Sequence, residues 1–224
     1  MDPRDLFPNG FTPENPHLAC LCDHLDGWQF GEEGLLEAVI AAVGSPAGCL
    51  IEYGAGDGDK LPLTLDRLYQ KSLAMVERKF DFILVENDLK SRESLKPKYP
   101  LAEAVETLSW GHFSRHAVTA VIIDIDGQDS LVMRDMLSAG VRPVVLMVEH
   151  FDRNYPVAST SSMPLPEWAL GLELNQGYKL QDSAEVLYRI AHQAGYERIG
   201  MTRCNSLFVR RDRYPALLRE IGSK

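Results

Sequence analysis

The chain has 224 residues, a length that suits one α/β domain with a small appendage and buries a sizeable core without disulfides or a structural metal. Acidic residues outnumber basic ones, 32 to 23. The resulting net charge of −9 argues against a nucleic-acid backbone or an anionic membrane as the main partner, since both repel a negative surface. No apolar run reaches the length needed to span a bilayer. The opening Met1-Asp2-Pro3-Arg4-Asp5 is polar, unlike a signal peptide. Cys20 and Cys22 form a C-x-C pair with no second pair to complete a zinc site, and Cys49 and Cys204 stand apart. Reduced thiols in a cytoplasmic protein are expected. Arg203, Arg210, Arg211 and Arg213 are expected on a solvated face.

Residues 1–27 carry Pro3, Pro8, Pro13 and Pro16 and read as an N-terminal arm, wrapped on the domain or loose. A single domain over 28–224 follows. Leu35, Leu36, Val39, Ile40 and Val43 recur at helical spacing over 32–43, and Gly44-Ser45-Pro46 ends that helix. Residues 49–53 read as a short buried strand running into a glycine turn. Pro62 is placed for the first turn of a helix that carries Leu63, Leu65, Leu68, Leu73 and Val76 and ends near Lys79. A second strand spans 80–85, and a helix over 89–95 stops before Pro97. A weaker strand is expected over 104–108.

The strongest strand is 118–125, VTAVIIDI. A helix follows over 128–139 on Leu131, Met133, Met136 and Leu137, and 143–148 is another continuous apolar strand. Such continuous runs suit parallel strands covered on both faces. Residues 151–175, rich in Pro and Ser, break the rhythm and read as a lid or acceptor loop. Arg153, Tyr155 and Trp168 are its candidate contacts. A helix over 183–194 precedes strands at 196–201 and 206–209, and the short link between them permits a hairpin but not a parallel crossover. The expected fold is a Rossmann-like doubly wound α/β sheet, mostly parallel, with a C-terminal antiparallel hairpin. This order of elements resembles the class I methyltransferase pattern.

The chemistry centres on Glu52-Tyr53-Gly54-Ala55-Gly56-Asp57-Gly58, a glycine turn between a buried strand and a helix. Glycines there let a ligand approach the backbone. Dinucleotide folds use G-x-G-x-x-G to seat a pyrophosphate. Here Glu52 and Asp57 would repel a pyrophosphate, whereas a sulfonium cation bearing an ammonium group suits them. Glu86, with Asn87 beside it, ends the second strand about 30 residues beyond the turn, against about 20 in dinucleotide folds, because the first helix is long. Its carboxylate can accept both ribose hydroxyls of an adenosyl group. Asp124 and Asp126 close the strand at 118–125, and Glu149-His150 closes the next. Ligands bind open α/β sheets at these carboxyl ends. Two readings stay open: Asp124, Asp126 and Glu149 bind Mg²⁺, or His150 or an Asp acts alone as general base. Asp129, inside the first turn of the following helix, suits a structural cap.

These segments resemble the FkbM-type methyltransferases. Trp28-Gln29-Phe30-Gly31-Glu32-Glu33-Gly34 is similar to their opening S-Q-x-G-E-D-G, and residues 51–58 to their V-E-x-G-x-x-D-G. Val85-Glu86-Asn87-Asp88, residues 124–129, and Arg142-Pro143 through Glu149-His150 match three further elements in register. Ser130, His150-Phe151 and Glu33 depart from the pattern, the first two where the acceptor belongs. The resemblance implies S-adenosylmethionine as donor, O-methylation of a hydroxyl on a sugar or natural product, and Gln29 and Glu32 reaching the donor's methionine end or the substrate. Two rival readings are a scaffold that kept the fold without catalysis, and a transferase moving another group from an adenosyl donor.

Overall fold

The computed structural model describes residues 11–25, 32–44, 47–57, 64–74, 80–113, 117–125, 127–150 and 182–222. Their strands form one sheet: β1 (Thr12–Pro13), β2 (Gly48–Tyr53), β3 (Phe80–Val85), β4 (Ala102–Val105), β5 (Val118–Ile123), β6 (Val145–Glu149), β7 (Tyr196–Met201) and β8 (Asn205–Arg210). The order across it is β4-β3-β2-β5-β6-β8-β7-β1. Strands β2 to β6 pair in parallel, and β8 runs antiparallel to both β6 and β7. The doubly wound parallel sheet with a closing hairpin is therefore the architecture. The chain order reverses between β2 and β5, so their carboxyl ends form the crevice where such sheets take ligands.

Successive residues of the central strands go to opposite cores, which is why those strands read as unbroken apolar runs. Leu50, Leu84, Ile122 and Met147 pack with Leu35, Leu36 and Val39 of α1 (Glu32–Ala42) and Leu68 of α2 (Asp66–Leu73). Ile51, Val121 and Ile123 pack on the other face with Met133 and Met136 of α5 (Asp129–Ser138) and Leu187 of α6 (Ala184–Gln193).

Several bounds differ from expectation. The helix after Glu86, α3 (Leu89–Lys98), runs through Pro97 instead of stopping before it. Its far end is held from outside the helix ladder by Lys98 Nζ, which donates to the Asp57 carbonyl at 2.8 Å, while the ladder itself resumes after the proline with Tyr99 N donating to Leu95 O at 2.8 Å. A proline in the last turn then costs little. Strand β4 begins and ends earlier than the expected 104–108, and β5 stops at Ile123, before Asp124. Leu73 and Leu131, expected on apolar helix faces, are 44% and 53% exposed. Pro62, Leu63 and Val76 lie outside the described residues, as does the 151–175 loop with Arg153, Tyr155 and Trp168. The short α4 (Trp110–Phe113) and the C-terminal α7 (Tyr214–Gly222) are not among the expected elements, although Tyr214, Leu217, Leu218 and Ile221 of α7 recur at helical spacing.

The described part of the N-terminal arm wraps the domain. Strand β1 extends the sheet beyond β7, and the 3-10 helix Pro16–His24 buries Leu18 and Leu21. Asn15 caps that helix, its side chain accepting from His17 N at 3.0 Å. Phe11 lies where a side chain at Gly200 would be: a Cβ there would stand 2.2 Å from the Phe11 ring and 2.6 Å from Thr12 O. Gly200→Ala must therefore push the arm off β7. We expect a loss of about 1–3 kcal/mol, the scale of core overpacking, measured by urea unfolding. An unchanged midpoint would show that the arm adds nothing to stability.

Candidate functional site

Strand β2 delivers the chain into a turn that only glycines allow. Gly54 N and Ala55 N both donate to Val85 O, at 2.9 and 3.1 Å, which ties the turn to the end of β3. Gly54 has φ of +92°, and a Cβ there would fall 1.7 Å from the Asp124 carbonyl oxygen. Asp124 N in turn donates to Tyr53 O at 2.9 Å. The ends of β2 and β5 thus meet backbone to backbone. Gly56 has φ of +59° and open space where its Cβ would lie, the opening that a ligand needs.

Glu86 faces that opening. Its Oε2 accepts from Gly56 N at 2.8 Å and its Oε1 from Asp88 N at 2.8 Å. A carboxylate has about four lone-pair sites, so acceptor capacity remains for ribose hydroxyls. Arg92 Nη1 donates to the Glu86 carbonyl at 2.8 Å, and Asp88 caps α3 by accepting from Ser91 N at 2.7 Å. Asn87 is exposed beside them. The Asp57 carbonyl is held by Ser94 Oγ at 2.9 Å as well as by Lys98. Gln29 and Gly58 lie outside the described residues.

Glu52 has a role that its motif does not reveal. It is buried, and its two oxygens accept from Thr64 N at 2.9 Å and Leu65 N at 3.0 Å, bracing the start of α2 against the end of β2. Burial pushes its carboxyl up to about 8, with Asp124 and Glu33 adding to the rise and the two N–H bonds opposing it.

Three of the four acceptor-side candidates, Asp124, Glu149 and His150, are described; Asp126 is not. Asp129 is buried and structural, accepting from Ile125 N and Gly127 N at 3.1 Å each, while burial lifts it to about 7. Asp182, which the sequence did not single out, accepts from Ser130 N at 2.6 Å at the start of α5.

Glu149 ends β6 opposite Asn205 of β8. His150 is 1% exposed, with its Nδ1 3.3 Å from Ser206 Oγ and its backbone N donating to Cys204 O at 2.6 Å. Its Nε2 has no hydrogen-bond partner. Burial, reinforced by Arg198, holds its imidazole neutral, down to about 4.

The structure also brings Glu32 into this group, from the start of α1. Glu32 is 3% exposed, and its Oε1 accepts from Thr202 Oγ1, from Asn205 Nδ2 at 2.8 Å and from Cys204 Sγ at 3.9 Å. Thr202 and Asn205 close the β7–β8 turn, with Thr202 N donating to Asn205 O at 2.8 Å and Asn205 N to Thr202 Oγ1 at 3.1 Å. Burial raises the Glu32 carboxyl, and Asp124 adds to it. Burial, with Glu32, Asp124 and Glu149, also raises the Cys204 thiol, so that sulfur is no nucleophile. The family resemblance pointed to Glu32, and nothing in the sequence pointed to Thr202 or Asn205. Among the described residues, no three His, Cys, Asp or Glu side chains form a group that could hold a metal ion, and no helix is long and apolar enough to cross a membrane. The trio Asp124, Asp126 and Glu149 expected for Mg²⁺ thus gains no support.

No family model and no curated protein matches this chain, so the resemblance to FkbM-type enzymes stands on its five motifs. Solved structures do match. An amino pentose methyltransferase of calicheamicin biosynthesis from Micromonospora echinaspora, with S-adenosylmethionine bound, aligns at a TM-score of 0.51 and 14% identity, covering 82% of this chain and 92% of that one. A sugar N-methyltransferase from a Streptoalloteichus species aligns at 0.49 and 16% identity, covering 80% and 87%. Magnesium protoporphyrin IX methyltransferase from Synechocystis aligns at 0.43 and 12% identity, covering 92% and 88%. The likeness is one of fold, and it rests on the first of these. This chain has the class I methyltransferase fold.

Glu52 gives a signed test. Its carboxyl rises from 4.5 to about 8 on folding, so the native state holds a proton that the unfolded chain releases. The stability this gives is full below pH 4.5 and is lost as pH rises through about 8, with a limiting slope near ~1.4 kcal/mol per pH unit. Glu52→Gln removes that titration. The stability deficit of the variant relative to wild type should therefore shrink between pH 5 and pH 8 in paired urea melts. A deficit that grows over this range would contradict the assignment.

Proposed function

We propose that this protein is an S-adenosylmethionine-dependent methyltransferase acting on a small polar acceptor, a sugar or natural product. One observation carries the reading. A strand-end carboxylate, Glu86, is turned onto a glycine turn whose backbone is open at Gly56. Glu86 would take the ribose hydroxyls. The turn at residues 54–57 would let the donor's amino-acid portion pass toward Asp124. Acidic residues on that path suit a positively charged sulfur nucleoside and disfavour a pyrophosphate. Bound there, the donor supplies an electrophilic methyl group, and alignment of the acceptor atom with it supplies much of the rate.

The O-methylation implied by the sequence resemblance needs a base near the acceptor hydroxyl. Glu149 and Asp124, at the ends of β6 and β5, are the candidates for that proton. His150 is neutral but enclosed, and serves only if the acceptor reaches its Nε2. The 151–175 segment follows His150 directly in the chain, and we assign it to acceptor selection.

Calorimetry with adenosylhomocysteine tests the donor site. Wild type should bind, and Glu86→Ala should weaken binding about tenfold or more, the scale of a lost charged hydrogen bond. No heat with wild type would favour a scaffold that has lost the donor. Binding without release of labelled methyl to any sugar or natural-product acceptor would favour transfer of another group from the donor.

A further inference from the structure

The ends of β5 and β6 and the start of β8 meet at one group of polar side chains. Glu32 reaches it from α1, its Oε1 3.9 Å from Cys204 Sγ and 2.8 Å from Asn205 Nδ2; Glu149 of β6 pairs opposite Asn205, and Asp124 follows Ile123, which pairs with Val148. A cluster of carboxylates alone is often only solvated surface. This one contains an independent sign of a missing partner. Asn205 is 3% exposed, and its Oδ1 receives no hydrogen bond. The amide orientation is fixed, because a flip would set Oδ1 against the Glu32 carboxylate that Nδ2 now serves. A buried acceptor atom without a donor is costly and calls for an explanation. The hydrogen bonds to Glu32 fall on Oε1, whereas Oε2 takes none from the described residues. Two acceptor atoms, Glu32 Oε2 and Asn205 Oδ1, are therefore held on one hydrogen-bonded pair beside Asp124.

We propose that this cluster binds the primary ammonium group of the acceptor, so that the methyl group is accepted by an amine. An ammonium offers three N–H donors and a positive charge. It would offer donors to Oε2 and Oδ1 and a positive charge to the Glu32 carboxylate that burial disfavours. A hydroxyl offers one donor and no charge. The inference rests on the donor reading above, but it concerns a different place. Strand β8 is separated from β2 by β5 and β6, roughly 14 Å at the usual strand spacing. Glu86 and the glycine turn lie on the β2–β3 side, so the donor enters from there and the acceptor from the β6–β8 side. In the reaction, the ammonium gives one proton to a neighbouring carboxylate, and the freed lone pair forms the nitrogen–carbon bond. The carbon–sulfur bond breaks, and sulfur keeps its electron pair.

The test uses the full chain saturated with adenosylhomocysteine. The probes are n-butylammonium and its isostere n-butanol, followed through the side-chain amide resonances of Asn205. Wild type should show a saturable shift with the ammonium and none with the alcohol. Glu32→Gln should weaken ammonium binding about tenfold while adenosylhomocysteine affinity stays at the wild-type value. Equal response to both probes, or none to the ammonium, overturns the proposal; this comparison is made on wild type and needs no variant to fold. A variant that loses adenosylhomocysteine instead assigns the cluster to the donor's own ammonium and also overturns it. If wild type does not bind adenosylhomocysteine at all, the donor reading fails first, a result distinct from the others.

Discussion

A backbone carbonyl at the end of β5 leaves no room for a side chain at residue 54, and the site is organised around that contact. The Asp124 carbonyl presses on Gly54, and the Asp124 amide bonds to Tyr53. The ends of β2 and β5 are thereby locked at the point where the sheet order reverses. Any β-carbon at 54 would have to separate them. With the two ends fixed, Gly56 is left as the opening and Glu86 has a fixed direction in which to point.

Charge is the second organising fact. Glu32, Glu52, Asp124, Asp129 and Glu149 all lie at or near one edge of the sheet. Burial lifts Glu32, Glu52 and Asp129 above the usual carboxylate range. Two of these have clear structural employment: Glu52 braces α2, and Asp129 holds the Ile125–Gly127 backbone. Glu32 is different. It is anchored by one oxygen to a turn 170 residues away, and its other oxygen takes no hydrogen bond from the described residues. Clustered carboxylates repel one another unless a proton or a cation offsets them, which is the physical ground for the cationic donor and the amine acceptor proposed above.

The sheet was readable in the sequence because its central strands are buried on both faces and carry unbroken apolar runs. Short elements were not. The two-residue β1 and the 3-10 helix owe their form to contacts with β7 and α7, which no local pattern encodes. Pro97 misled for the same reason, since Lys98 ties the helix end to the Asp57 carbonyl. At the site, the glycine turn and Glu86 were visible because spacing and strand position define them. Glu52 was visible as a residue but not as a brace, since its partners are backbone amides at Thr64 and Leu65. Thr202 and Asn205 were missed: their meaning depends on Glu32, and only the folded chain brings them together.

The account stands or falls on where a nucleoside sits. A crystal structure of the protein with adenosylhomocysteine should place the ribose hydroxyls on the Glu86 carboxylate and the amino-acid chain across residues 54–56 toward Asp124. A ligand seated elsewhere, or a ribose turned away from Glu86, would contradict it.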